Sequence, residues 1–104
     1  MLEAPNIPND LLIACVRDQY QQPASSIEFL PIGCDATAWV YRVRAADGTV
    51  WFLKLKKGSI YEPSVLVPRL LKDNDIPQIV APLRTSTGAL WARLNNDYSA
   101  ILYP

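Results

Sequence analysis

The sequence predicts an α+β domain: an antiparallel sheet of about five strands, with one helix packed on it and another leading from the N-terminus. Three observations carry that prediction. Near the start, Leu11, Leu12, Cys15, Val16 and Tyr20 recur at helical spacing. Two runs of strict alternation, Trp39 to Arg44 and Thr49 to Lys56, flank Ala46-Asp47-Gly48, the strongest hairpin signal in the chain. The period then turns helical again over Glu62 to Lys72, before further short β-rich runs.

Taken in order, residues 9 to 21 read as one amphipathic helix. Asn9 or Asp10 is placed to cap it, Arg17 and Asp18 fall on its other face, and Gln21-Gln22-Pro23 stops it. Ser26 to Ile32 reads as a strand, with Ile27 and Phe29 on one side and Glu28, Leu30 and Ile32 on the other. Gly33-Cys34-Asp35-Ala36-Thr37 then turns the chain. In the second strand Trp39, Tyr41 and Val43 share one face, and Val40, Arg42 and Arg44 the other. In the third, Trp51, Leu53 and Leu55 oppose Phe52, Lys54 and Lys56. Pro63 suits the first turn of the following helix, whereas Pro68 is expected to kink it or limit its length. Ile79-Val80-Ala81, continued by Leu83, begins another extended piece. Ser86-Thr87-Gly88 is a turn, Ala89 to Leu94 a strand, Asn95-Asn96-Asp97 a turn, and Tyr98 to Tyr103 a last strand. Short connections between consecutive strands make the sheet antiparallel.

Composition excludes several function classes. The 104 residues, half of them hydrophobic, suit one small domain over 1–104 without metal or disulfide staples. Ten basic residues balance ten acidic ones, which argues against nucleic acid as a partner. No apolar run approaches the roughly 18 to 20 residues that cross a bilayer, so no membrane partner is expected. Met1 to Asp10 lacks a basic stretch followed by an apolar one, so a secretory signal is not expected and a cytoplasmic location is. Cys15 and Cys34 then read as reduced thiols, with a disulfide between them as the alternative. Histidine is absent, so no Ser-His-Asp, Cys-His or histidine-zinc constellation can be built.

Three features are candidates for chemistry. Lys54 lies mid-strand among apolar neighbours, where an ammonium group is costly unless it finds an anion. Either that face is solvated and Lys54 and Lys56 are surface charges, or Phe52 beside them marks a partly covered cleft. Glu62 opens the next helix, where the helix dipole alone favours an acid. Its functional alternative is an ion pair that holds Lys54 against the phosphates of a nucleotide. The Gly33 to Ala38 loop offers backbone N–H groups that can cradle phosphate. It has one glycine and no G-x-G-x-x-G or Walker pattern, so a plain hairpin connection remains the alternative.

Together, "IEFLPIGCDATAWVYRV", "WFLKLKKG", a helix with an early glutamate and "SAILYP" resemble the N-terminal, protein-kinase-like lobe of the aminoglycoside phosphotransferase family. Within it the chain is most like the spectinomycin-type antibiotic kinases, and the resemblance runs from the leading helix to Pro104. It implies that Lys54 contacts the nucleotide phosphates, that Glu62 pairs with it, and that Val40 and Phe52 roof the adenine. The loop with Gly33, Asp35 and Thr37 would lie beside the phosphates, and Leu102 and Tyr103 would lead into the hinge that binds the adenine edge. It implies ATP or GTP with magnesium as cofactor, and a small-molecule substrate carrying the acceptor hydroxyl, such as an aminoglycoside. The family's catalytic and magnesium aspartates belong to a C-terminal lobe of about 150 residues or more. No motif for them occurs here, so no catalytic or metal-binding residue is expected in this chain, which is expected to be an inactive fragment. Choline, fructosamine, homoserine or methylthioribose kinases are the alternatives within the fold. A non-catalytic, self-associating interaction module is the alternative outside it.

Overall fold

The computed structural model describes residues 3–32, 37–76 and 78–104. Its elements run α1 (Asn9–Gln19), β1 (Ala24–Leu30), β2 (Ala38–Ala45), β3 (Val50–Lys57), α2 (Pro63–Asp73), β4 (Ala92–Arg93) and β5 (Tyr98–Tyr103). The five strands form one antiparallel sheet in the order β1-β2-β3-β5-β4. The α+β class, the sheet and both helices are as the sequence predicts.

α1 begins directly after Pro8, whose ring cannot cap. Asn9 and Asp10 therefore lie inside the first turn, and the acid favours the positive end of the helix there. The helix stops two residues earlier than expected, because Gln21 adopts a left-handed φ of 57°. Leu12, Cys15 and Val16 turn inward, while Leu11 stays exposed. They meet Tyr41 and Val43 of β2, Trp51, Leu53 and Leu55 of β3, and Ala100 and Leu102 of β5. The main core therefore lies between α1 and one face of the sheet. The buried Tyr20 hydroxyl donates to Ala100 O at 3.1 Å and ties the end of α1 to β5.

The β2–β3 hairpin closes as Asp47-Gly48 predicts. Gly48 takes a φ of 91°, which suits a residue without a Cβ, and the Asp47 carboxylate accepts from Thr49 N at 2.9 Å. That bond holds the Asp47 carboxyl below its ordinary range. β1 starts and ends two residues before its expected bounds, and Pro31, with no N–H, follows its last residue.

Three expectations need correction. α2 runs from Pro63 through Pro68 to Asp73, close to its expected span, so the proline does not limit its length. The ring removes only the bond to Ser64 O, and Ser64 is an exposed residue. Residues 78–83 form no strand: Leu83 N donates to Leu102 O at 2.8 Å, but Pro82 beside it has no donor to extend a ladder. The strand expected over 89–94 shortens to Ala92–Arg93 at the sheet edge. The turns at 86–88 and 95–97 are present, closed by Gly88 N to Thr85 O at 2.9 Å and by Asn95 Oδ1 accepting from Asp97 N at 2.8 Å.

α2 sits on the opposite face of the sheet. Val65 is its one buried residue, packed with Leu90 and Ile101. β5 lies between the two layers, so Ser99 to Leu102 are all buried.

Candidate functional site

The register builds the α2 face residue by residue. Leu30 pairs with Val40, Val40 with Lys54, and Lys54 with Ile101, giving one row across four strands. The adjacent row is Glu28, Arg42, Phe52 and Tyr103. Cross-strand partners project to the same side, so Val40, Phe52, Lys54 and Tyr103 share a surface. Its lower part is apolar, with Phe52 38% exposed beside a half-buried Tyr103. Burial raises the Tyr103 phenol above its ordinary range, so it stays neutral. Farther along, Arg42 and Glu28 close an exposed ion pair at 3.1 Å.

Lys54 is half-buried and opens into a recess of about 180 Å³ between β3 and α2, lined also by Lys56, Ile60, Tyr61, Ser64 and Ile101. Among the described residues, the Lys54 side chain makes no hydrogen bond or ion pair. Lys56 donates to Thr37 Oγ1 at 2.6 Å, and Lys57 N donates to Thr37 O at 2.8 Å. These bonds pin the far end of the β1–β2 connection to the end of β3, beside the recess.

Other candidates are placed differently. Glu62 stands at the N-cap of α2, exposed, and forms no ion pair with Lys54 among the described residues. Leu102 turns its side chain into the α1 core, leaving only its backbone near the α2 face, and its carbonyl already accepts from Leu83. Gly33, Asp35 and Cys34 lie outside the described residues. No group of three acidic, cysteine or histidine side chains converges among the described residues.

Sequence reading missed Ile60, Tyr61, Ser64 and Ile101. A signal existed for the first two: the 58–62 connection is too short to leave the end of β3, so its apolar residues must fold back beside Lys54. No such signal marked Ile101, because strand order is not written in local pattern.

No protein-family profile matches the chain, and no curated protein sequence matches it. Among solved structures it is similar to spectinomycin phosphotransferase APH(9)-Ia in complex with ADP and spectinomycin, with a TM-score of 0.83 and 28% identity over 96% of this chain. An AMP-bound complex of the same enzyme matches with a TM-score of 0.75 and 24% identity over 94% of this chain. The chain spans 30% and 28% of the length of those two structures. Its resemblance to the aminoglycoside phosphotransferases thus extends to three dimensions, and its fold is that of their kinase-like N-terminal lobe.

Proposed function

We propose that this chain forms the nucleotide-binding lobe of a phosphotransferase that moves the γ-phosphate of ATP or GTP to a hydroxyl of a small cationic antibiotic. One observation carries the reading: a half-buried lysine with no anionic partner among the described residues faces a recess, beside an apolar strip on the same sheet face. An ammonium group so placed favours an anionic ligand. The apolar strip of Val40, Phe52 and Tyr103 would take the base, and Lys54 the phosphate oxygens. The ADP and AMP complexes of the similar enzyme support this reading. At about 180 Å³ the recess is smaller than the roughly 300 to 1,000 Å³ of a whole ligand site, so it suits the phosphate end of a nucleotide only. Glu62 would reach Lys54 after a shift of the α2 start. The nucleotide brings the transferable phosphoryl group, and its magnesium finds no converging ligands among the described residues.

The test is ADP binding by calorimetry. We expect weak binding that Lys54→Ala lowers about tenfold, the magnitude of one charge-assisted contact. Equal ADP affinity in the variant would overturn the role of Lys54. With ATP, magnesium and an aminoglycoside panel, the chain alone is expected to show no turnover.

A second reading, a self-associating interaction module, is favoured by Val67, Leu70 and Leu71, exposed along α2. Light scattering that shows a monomer at all concentrations would eliminate it.

A further inference from the structure

We propose that Asp73 is a positioning residue: it latches α2 onto the sheet and thereby sets the recess beside Lys54. The need for a latch follows from how little else holds the helix. α1 buries Leu12, Cys15 and Val16, whereas α2 buries Val65 alone. Val67, Leu70 and Leu71 stay exposed, and only the half-buried Leu66 joins Val65 in the small cluster with Leu90 and Ile101, so apolar packing seats α2 weakly. Pro68 further removes one rung of the helix's own ladder.

Asp73 compensates at the far end of the helix. Its Oδ1 accepts from Arg69 Nε at 3.1 Å and from the same guanidinium's Nη2 at 2.8 Å. Its Oδ2 lies 3.6 Å from Arg84 Nη2. Both arginines reach on to backbone beyond the helix: Arg69 Nη1 donates to Pro82 O and Arg84 Nη1 to Gly88 O, each at 3.1 Å. The Asp73 carboxylate thus orients Arg69, which reaches the 82–88 segment at Pro82 O, and adds a second link to that segment through Arg84. That segment is itself anchored to β5 by Leu83 N to Leu102 O and to α1 by Ser86 N to Gln19 O, both at 2.8 Å. The chain of contacts runs from Asp73 to the sheet without passing through the recess. At the other end of the same helix and its lead-in, Ser64 and Tyr61 form the wall opposite Lys54. Losing the latch lets α2 pivot about Val65 and widens that wall.

The proposal rests on the nucleotide reading for its ligand but not for its mechanics, and the test separates the two. In the full chain, Asp73→Ala is expected to speed amide hydrogen exchange across α2 about fivefold, the scale of a small ion-pair network, while β2 and β3 keep their protection. It should also weaken ADP about fivefold and leave adenosine unchanged, because only the phosphate side meets α2. Asp73→Glu, which keeps the charge, should recover part of both effects. Unchanged exchange in α2, or an equal loss of ADP and adenosine, overturns the proposal. If the wild type binds neither ligand, the nucleotide reading fails, and the exchange result alone supports or refutes the latch.

Discussion

The two faces of the sheet are built on opposite terms. The α1 face is closed: Leu12, Val16, Val43, Leu53, Leu55 and Leu102 are fully buried and fill the space between helix and strands. The α2 face is open: a small cluster of Val65, Leu90 and Ile101 sits beside a recess, a charged lysine and an aromatic that water still reaches. Both faces belong to the same strands, because alternation sends neighbouring residues to opposite sides. Buried packing is therefore concentrated on one side and the proposed nucleotide site on the other. A single strand such as β3 contributes to both, with Leu53 and Lys54 adjacent in sequence and on opposite faces.

Substitutions can break that division or sharpen it. The largest effect belongs to the closed face. Leu53→Ala is expected to cost about 2 to 5 kcal/mol of unfolding free energy, measured by denaturant titration, because the packed surroundings cannot collapse into the space. The closed face also predicts an alkaline weakness. Burial, aided by Asp18, pushes the Cys15 thiol from its ordinary 9.0 up to about 11. The neutral thiol is thus favoured by folding, so its contribution is intact below pH 9 and is lost as pH rises through 11. Cys15→Ala should flatten the stability profile between those values relative to wild type. On the open face, Val65→Ala is expected to cost about 1.5 kcal/mol, with faster exchange confined to α2 and its neighbours. The smallest effect on stability is expected at Lys54, where replacement by alanine should stay within about 0.5 kcal/mol even as it weakens ADP. A large stability loss there would show that the two faces are not separable.

How much of this was legible in the sequence follows from the same division. Alternation in Trp39-Val40-Tyr41-Arg42-Val43 and in Trp51-Phe52-Leu53-Lys54-Leu55 is a local signal, and it assigned every side chain to its observed face. The Asp47-Gly48 turn is equally local. What failed depended on neighbours far along the chain. Ile79 to Leu83 has β-forming residues, but a strand needs a partner with free groups, and Pro82 cannot donate to one. Pro68 looked like a helix limit because the rule concerns the lost bond, and whether that loss matters depends on whether Ser64 O faces water. At the site, the face of Lys54 was readable while its surroundings were not. Ile101 and Tyr61 reach the recess through strand order and a tight connection, and the separation of Glu62 from Lys54 is set by where α2 rests.

The placement of β5 between β3 and β4 has a kinetic consequence. β1, β2 and β3 form a meander whose hairpins close locally, so that part of the sheet can assemble early. The pairing of Lys54 with Ile101 joins residues almost half the chain apart and carries a larger loop-closure cost. The recess therefore does not exist in any state that lacks β5. Whatever occupies it cannot template the nascent chain. It acts as a lock on the finished sheet, and slows unfolding in proportion to its affinity for that final arrangement.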